Sequence, residues 1–242
     1  MSHVQTCSVV YHAGYGGNFV KMCLSLSPDT TPYYHTNLNQ LNDNDILTLY
    51  ELTPADRRKI VQYASIIDYK NRHRRDVTFE PEIFYPNPLI NNYYKWSIIS
   101  NHPDTFGTRL PFLKKILYLD LDLSKYGIWI ANSFKYFTRE EKVYFPDVTK
   151  NMIVGHSIKD NIDSFETPSA YTLTEEQVRD EAYCKSLPNV ESVSMTTILD
   201  SLDGFVSEYT RLCRLLEITP VTDDAILYYK EWRQFRVDRF LF

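Results

Sequence analysis

Apolar residues along the chain fall in short runs that stop abruptly at polar ones, and these runs alternate with stretches of helical period. Cys7-Ser8-Val9-Val10-Tyr11 is the first run, and it breaks into Gly14-Tyr15-Gly16-Gly17-Asn18 before a helix-like segment. Trp96-Ser97-Ile98-Ile99 leads into Ser100-Asn101-His102-Pro103, and Lys115-Ile116-Leu117-Tyr118-Leu119 leads into Asp120-Leu121-Asp122. Runs this short, apolar throughout and polar at their C-terminal ends, predict parallel strands covered on both faces. Val193-Ser194-Met195-Thr196 predicts a last strand, and Met152-Ile153-Val154 a weak one.

The helical stretches carry their own boundary signals. Thr53 reads as a cap with Pro54 at the first helical position and Asp56 in the first turn, after which Ile60, Val61, Ala64 and Ile67 share a face up to Lys70. Ile128 to Phe134 predicts a second helix, and Thr174-Glu175-Glu176-Gln177 is a capping box that opens a third. Leu202, Phe205, Val206, Tyr209, Leu212, Cys213 and Leu216 line one side of a fourth and read as core. The expected fold class is α/β, a central and mainly parallel sheet with flanking helices. With no repeat, low-complexity tract or linker, residues 1–242 are expected to form one domain.

Composition narrows the picture. The chain has 242 residues, 43% of them hydrophobic, enough for a substantial core. A net charge of −5 argues against a nucleic-acid partner, since neutralising phosphates takes a basic face. No leader pattern or bilayer-length apolar stretch stands out, so a cytoplasmic protein with no membrane partner is expected. Cys7, Cys23, Cys184 and Cys213 are scattered without CxxC spacing and read as buried thiols, with no metal expected. Oligomeric state is not legible.

Candidate chemistry starts at the glycines. Three of the seven, Gly14, Gly16 and Gly17, sit between the first strand and the first helix, where free N–H groups and the helix dipole favour an anion. The same turn also serves as plain connection chemistry. Gly17-Asn18-Phe19 stands where a Walker loop has Gly-Lys-Ser/Thr, which excludes ordinary ATP or GTP hydrolysis, and the spaced glycines of a dinucleotide site are not met either. In an open α/β sheet the ligand lies outside the carboxyl ends of the strands, so Gly14 to Asn18, His102 and Asp120 are expected on one rim. The basic run Lys70-Asn71-Arg72-His73-Arg74-Arg75 reads as a solvated loop or as a holder of phosphate or sulfate.

Laid out in this order, the chain resembles the sulfotransferases that use 3′-phosphoadenosine-5′-phosphosulfate (PAPS). Val9 to Phe19 is similar to that family's opening strand, 5′-phosphosulfate loop and helix, and Ile98 to Pro103 is similar to its strand carrying the catalytic histidine. Leu110-Pro111 with Lys115-Ile116-Leu117-Tyr118 resembles its third strand, and Arg211-Leu212-Cys213-Arg214-Leu215-Leu216-Glu217-Ile218 its C-terminal helical phrase. The resemblance covers roughly residues 7 to 220. It implies a P-loop/sulfotransferase-like fold and transfer of a sulfuryl group from PAPS to a hydroxyl or amine of a small-molecule or glycan acceptor, with His102 as general base. It also implies donor binding by Gly14, Tyr15, Gly16, Gly17, Asn18 and Phe19, with Lys21 as a cation and Ser133 at the 3′-phosphate. The chain departs from the family in having Gly14 where the loop lysine usually stands and Asp120 where an arginine grips the 3′-phosphate. Arg72, Arg74 or Arg75 could supply the missing charge.

Two other classes compete. Asp120-Leu121-Asp122 also resembles the Asp-x-Asp signature of metal-dependent nucleotide-sugar glycosyltransferases. An aromatic content of 14%, with 19 tyrosines, suits a non-catalytic interaction protein that keeps the fold.

Overall fold

The computed structural model describes residues 4–12, 14–32, 47–48, 50–61, 92–103, 113–132 and 171–238. The weak strand Met152 to Val154, the basic run Lys70 to Arg75 and Ser133 lie outside these described residues.

Four strands, β1 (Gln5–Val10), β2 (Trp96–Asn101), β3 (Lys115–Asp120) and β4 (Val190–Ser194), pair in the order β2-β1-β3-β4. Every pairing is parallel. All four carboxyl ends therefore share one edge of the sheet. The chain leaves β1 toward β2 and leaves β3 toward β4, in opposite directions, so β1 and β3 flank the topological switch point where open α/β sheets bind ligands.

The helices are α1 (Gly17–Leu24), α2 (Glu175–Lys185), α3 (Met195–Asp200), α4 (Leu202–Leu215) and α5 (Thr222–Arg236), and residues 54–61 and 123–132 are helical as well. One face of the sheet buries Val9, Tyr11, Leu117 and Leu119 against Phe19, Phe205, Leu212 and Tyr229. The other buries Val10, Ile116 and Tyr118 with Leu113 and, from α2, Cys184. This double covering is why the strands read as unbroken apolar runs. Aromatic rings tie α1, α4 and α5 together. Phe19 stacks on Trp232 with ring centres 4.0 Å apart, and Phe205 on Tyr229 at 4.4 Å.

The expected α/β class, with strands at 96–99 and 115–119, is observed, and the capping signals behave as read. Thr174 accepts from the Gln177 N–H while Gln177 returns a bond to the Thr174 N–H, and Thr53 and Asp56 make the same reciprocal pair. Two boundaries differ. The last strand ends at Ser194, because the Ser194 hydroxyl accepts from the Thr197 N–H at 3.1 Å and turns Met195–Asp200 into a helix. The helix expected from Ile128 begins five residues earlier, capped by Asp122 Oδ1, which accepts from the Ser124 N–H at 2.9 Å and the Ser124 hydroxyl at 2.6 Å. Helix α5 was not anticipated, although Ala225, Tyr228, Tyr229 and Trp232 repeat at helical spacing. All four cysteines are free and buried, and among the described residues no helix is long and apolar enough to cross a membrane.

Arg57 is buried and organises the turn after α1. Its Nη1 donates to the carbonyls of Ser25 at 3.3 Å, Ser27 at 2.6 Å and Thr30 at 2.9 Å. Replacing it takes that donor from the Ser25 and Thr30 carbonyls, while the Ser27 carbonyl keeps the Thr30 N–H and hydroxyl, and a buried polar group without a partner costs about 1–3 kcal/mol. Arg57→Met is expected to lower unfolding free energy by about 3 kcal/mol, read as a reduced urea midpoint at unchanged slope.

Candidate functional site at the carboxyl edge of the sheet

The shared strand edge brings the expected loop and histidine together through Tyr11. Just past β1, the Tyr11 N–H donates to the Asn101 carbonyl at 3.2 Å, and the Tyr11 carbonyl lies 2.9 Å from His102 Nδ1. A carbonyl only accepts, so Nδ1 carries the proton and Nε2 is the basic nitrogen of the neutral imidazole. His102 is exposed, with its ring 5.0 Å from the Tyr11 ring and edge-on to it. On the other side, the Tyr11 hydroxyl donates to Asn18 Oδ1 at 3.0 Å, which also accepts from Ser100 Oγ at 3.3 Å. Because both bonds fall on Oδ1, the Asn18 amide nitrogen keeps its role as donor.

The loop glycines have identifiable work. Gly14 (φ 90°) and Gly16 (φ 81°) are left-handed, and the Tyr15 N–H donates back to the His12 carbonyl at 3.1 Å. A Cβ on Gly17 would stand 1.8 Å from Tyr11 Cδ1, so only glycine admits the tyrosine ring there. At Gly16 a Cβ would meet Met195 Cε at 3.0 Å and Trp232 at 3.3 Å. No side chain caps α1, and its first turn holds no acidic residue, so the first-turn amides and the dipole face the loop without a carboxylate. Phe19 is core, so only its backbone can meet a ligand. Tyr15 is buried against His12, and Lys21 sits in the second turn of α1, partly buried.

Asp120 and Asp122 are both engaged. Asp120 takes a hydrogen bond from the Ser192 hydroxyl and pairs with Lys185 of α2. Asp122 is the cap already described. Lys185 also bonds Glu181 Oε1 at 2.6 Å, and its ammonium lies 5.1 Å from the centre of the Tyr118 ring. Asp120, Asp122 and Glu181 border a cavity of about 450 Å³ at the ends of β3 and β4, lined also by Tyr15 of the loop, Ser194 and Thr196, with leucines between.

The sequence did not single out His12, which follows Tyr11 toward β3. It is 3% exposed, and its Nε2 is 3.6 Å from Glu181 Oε2 with no hydrogen-bond partner among the described residues. Burial pushes its imidazole below the ordinary histidine value, outweighing the opposing pull of Glu181. Its place two residues past a strand was a usable signal. Glu181 and Lys185 show only i,i+4 spacing in sequence, and nothing there connects their helix to β1. Burial pushes the Cys184 and Cys213 thiols up to about 11, which makes them packing groups and poor nucleophiles.

No protein-family model matches the chain, and no curated protein matches it significantly.

The low-lying His12 titration has a definite sign. Below the ordinary value of 6.5 the unfolded chain binds a proton that the folded chain refuses, so stability falls as pH drops from there toward the folded-state value. His12→Phe removes this term. Its denaturation midpoint is expected to fall less than that of the unaltered chain on acidification through this window, and parallel curves would contradict the assignment.

Proposed function

We propose that the chain is a PAPS-dependent sulfotransferase in which the α1 amino terminus receives the anionic donor and His102 is the general base. The observation that carries this reading is the bond from His102 Nδ1 to the Tyr11 carbonyl, which leaves the basic nitrogen on an exposed ring beside an uncapped helix start. The residues fit the anionic end of such a donor. The amides of Gly17, Asn18 and Phe19 belong to the helix's first turn, and a phosphosulfate there needs no carboxylate displaced. Asn18 adds a side-chain donor, and Lys21 is a cation one turn along, in place of the lysine that Gly14 lacks.

In the reaction the acceptor hydroxyl gives its proton to His102 Nε2 as its oxygen forms a bond to sulfur. The bond from sulfur to the bridging phosphate oxygen breaks, and 3′-phosphoadenosine-5′-phosphate leaves. Positioning and charge stabilisation supply most of the rate in such transfers. Proton removal by a placed base adds on the order of 10²–10⁴.

Packing also favours a second reading, a non-catalytic interaction protein. The space beside Gly17 holds the Tyr11 ring, and that beside Gly16 holds Met195 and Trp232, so protein side chains alone account for two of the glycines. The Asp-x-Asp glycosyltransferase reading lacks comparable support, since Asp122 caps a helix and Asp120 is paired with Lys185.

His102→Ala separates the first two readings. With PAPS and a panel of phenols and amines, the unaltered chain is expected to release 3′-phosphoadenosine-5′-phosphate, and the variant to lose on the order of 10²–10⁴ in turnover while still binding that product. Equal turnover by both proteins would remove His102 from the mechanism, and none by either would favour the interaction protein.

A further inference from the structure

We infer that Ser100 and the Tyr11 hydroxyl are positioning groups that make Asn18 a pure hydrogen-bond donor toward an anion at the α1 start. Their role presupposes the donor site proposed at this helix start, and it gives Ser100 a part there. Tyr11, just past β1, donates to Asn18 Oδ1 at 3.0 Å, and Ser100, in β2, donates to the same oxygen at 3.3 Å. A carboxamide oxygen has two lone pairs, so these bonds use its whole accepting capacity. What remains is the NH2 group, without a hydrogen-bond partner among the described residues and carried by a half-buried residue in the first turn of α1. An unrestrained carboxamide turns about χ2 and offers its oxygen as readily as its nitrogen, and the oxygen repels an anion. Here a half-turn takes the acceptor from two hydroxyl protons at once.

The helix start points the same way. Side-chain oxygens near a helix start are the usual partners of its unpaired amides. In α1 the hydroxyls hold Oδ1, and no side chain caps the helix. The first-turn amides and the Asn18 NH2 therefore remain donors together. The Tyr11 ring fills the space beside Gly17, where a Cβ would stand 1.8 Å from Cδ1, so its hydroxyl is not free to swing away. Ser100 stands two residues before His102, whose Nδ1 is held by the Tyr11 carbonyl at 2.9 Å. The amide that meets the donor and the imidazole that serves the acceptor thus hang from the same two chain segments, which sets their separation.

The test pairs calorimetric titration with 3′-phosphoadenosine-5′-phosphate with ¹⁵N relaxation of the Asn18 side-chain amide in the ligand-free chain. Tyr11→Phe keeps the ring against Gly17, and Ser100→Thr keeps the hydroxyl on a residue suited to a strand. Tyr11→Phe and Ser100→Ala are each expected to weaken nucleotide binding about three- to tenfold and to loosen the amide, while Ser100→Thr preserves both. In an Asn18→Ala background Tyr11→Phe is expected to cost no further affinity, because the hydroxyl acts through the amide. Asn18→Asp still accepts from both hydroxyls, and an acidic first turn favours the helix, so it is expected to bind less nucleotide than Asn18→Ala with no loss of thermal stability. Additive losses in the double variant, amide order unchanged by Tyr11→Phe and Ser100→Ala, or undiminished binding by Asn18→Asp each overturn the inference. No nucleotide binding by the unaltered chain, with amide order still falling in those two variants, rejects the donor site and supports the hold of the two hydroxyls on Asn18.

Discussion

The candidate site depends on where Tyr11 puts its ring. That ring occupies the space a Cβ on residue 17 would need, and from this position its hydroxyl reaches Asn18 on α1 while its backbone holds β2 at Asn101 and His102. One residue thus fixes the angle at which the first helix leaves the sheet and the orientation of the exposed imidazole. Removing the glycine or the ring would free both. Each contact alone is modest, a hydrogen bond contributing about 1 kcal/mol net. Their value here is geometric, since helix start and histidine are referenced to the same backbone.

From that corner the edge of the sheet divides into two electrostatic territories. Toward β2 lie an uncapped helix start, the Asn18 amide side chain and the His102 imidazole, with no carboxylate in the first turn of α1. Toward β4 lie Asp120 and Glu181, both paired with Lys185, and Asp122, which caps a helix. His12 and Tyr15 stand at the boundary, buried and in edge contact with each other.

Much of the framework was legible from the chain. The apolar runs ending at Asn101 and Asp120 announce covered parallel strands, and the Thr174 and Thr53 caps are local signals in which side chain and backbone partners lie three residues apart. The switch from strand to helix at Ser194 was less so, because Val193 to Thr196 suits either state and the deciding bond to Thr197 is a single cap. The cavity was legible only in part, since Tyr15 and Asp120 were expected on one rim while Glu181 and Ser194 were not. Tyr15, Asp120, Glu181 and Ser194 meet only once the sheet order is set, and no local pattern encodes that order. The glycine loop shows the same limit from the other side: its composition signals a tight turn, while the reason for Gly17 is a ring six residues away.

The central claim is that the loop from Gly14 to Asn18, held by Tyr11, receives a phosphate-bearing donor. Amide chemical shifts followed during titration with 3′-phosphoadenosine-5′-phosphate test it most directly. The account predicts saturable shifts concentrated at Gly16, Gly17, Asn18 and the His102 ring, with Glu181 little affected. Shifts only with a UDP-sugar and Mn²⁺, centred on Asp120 and Asp122, or no response at the loop to the nucleotide, would contradict it.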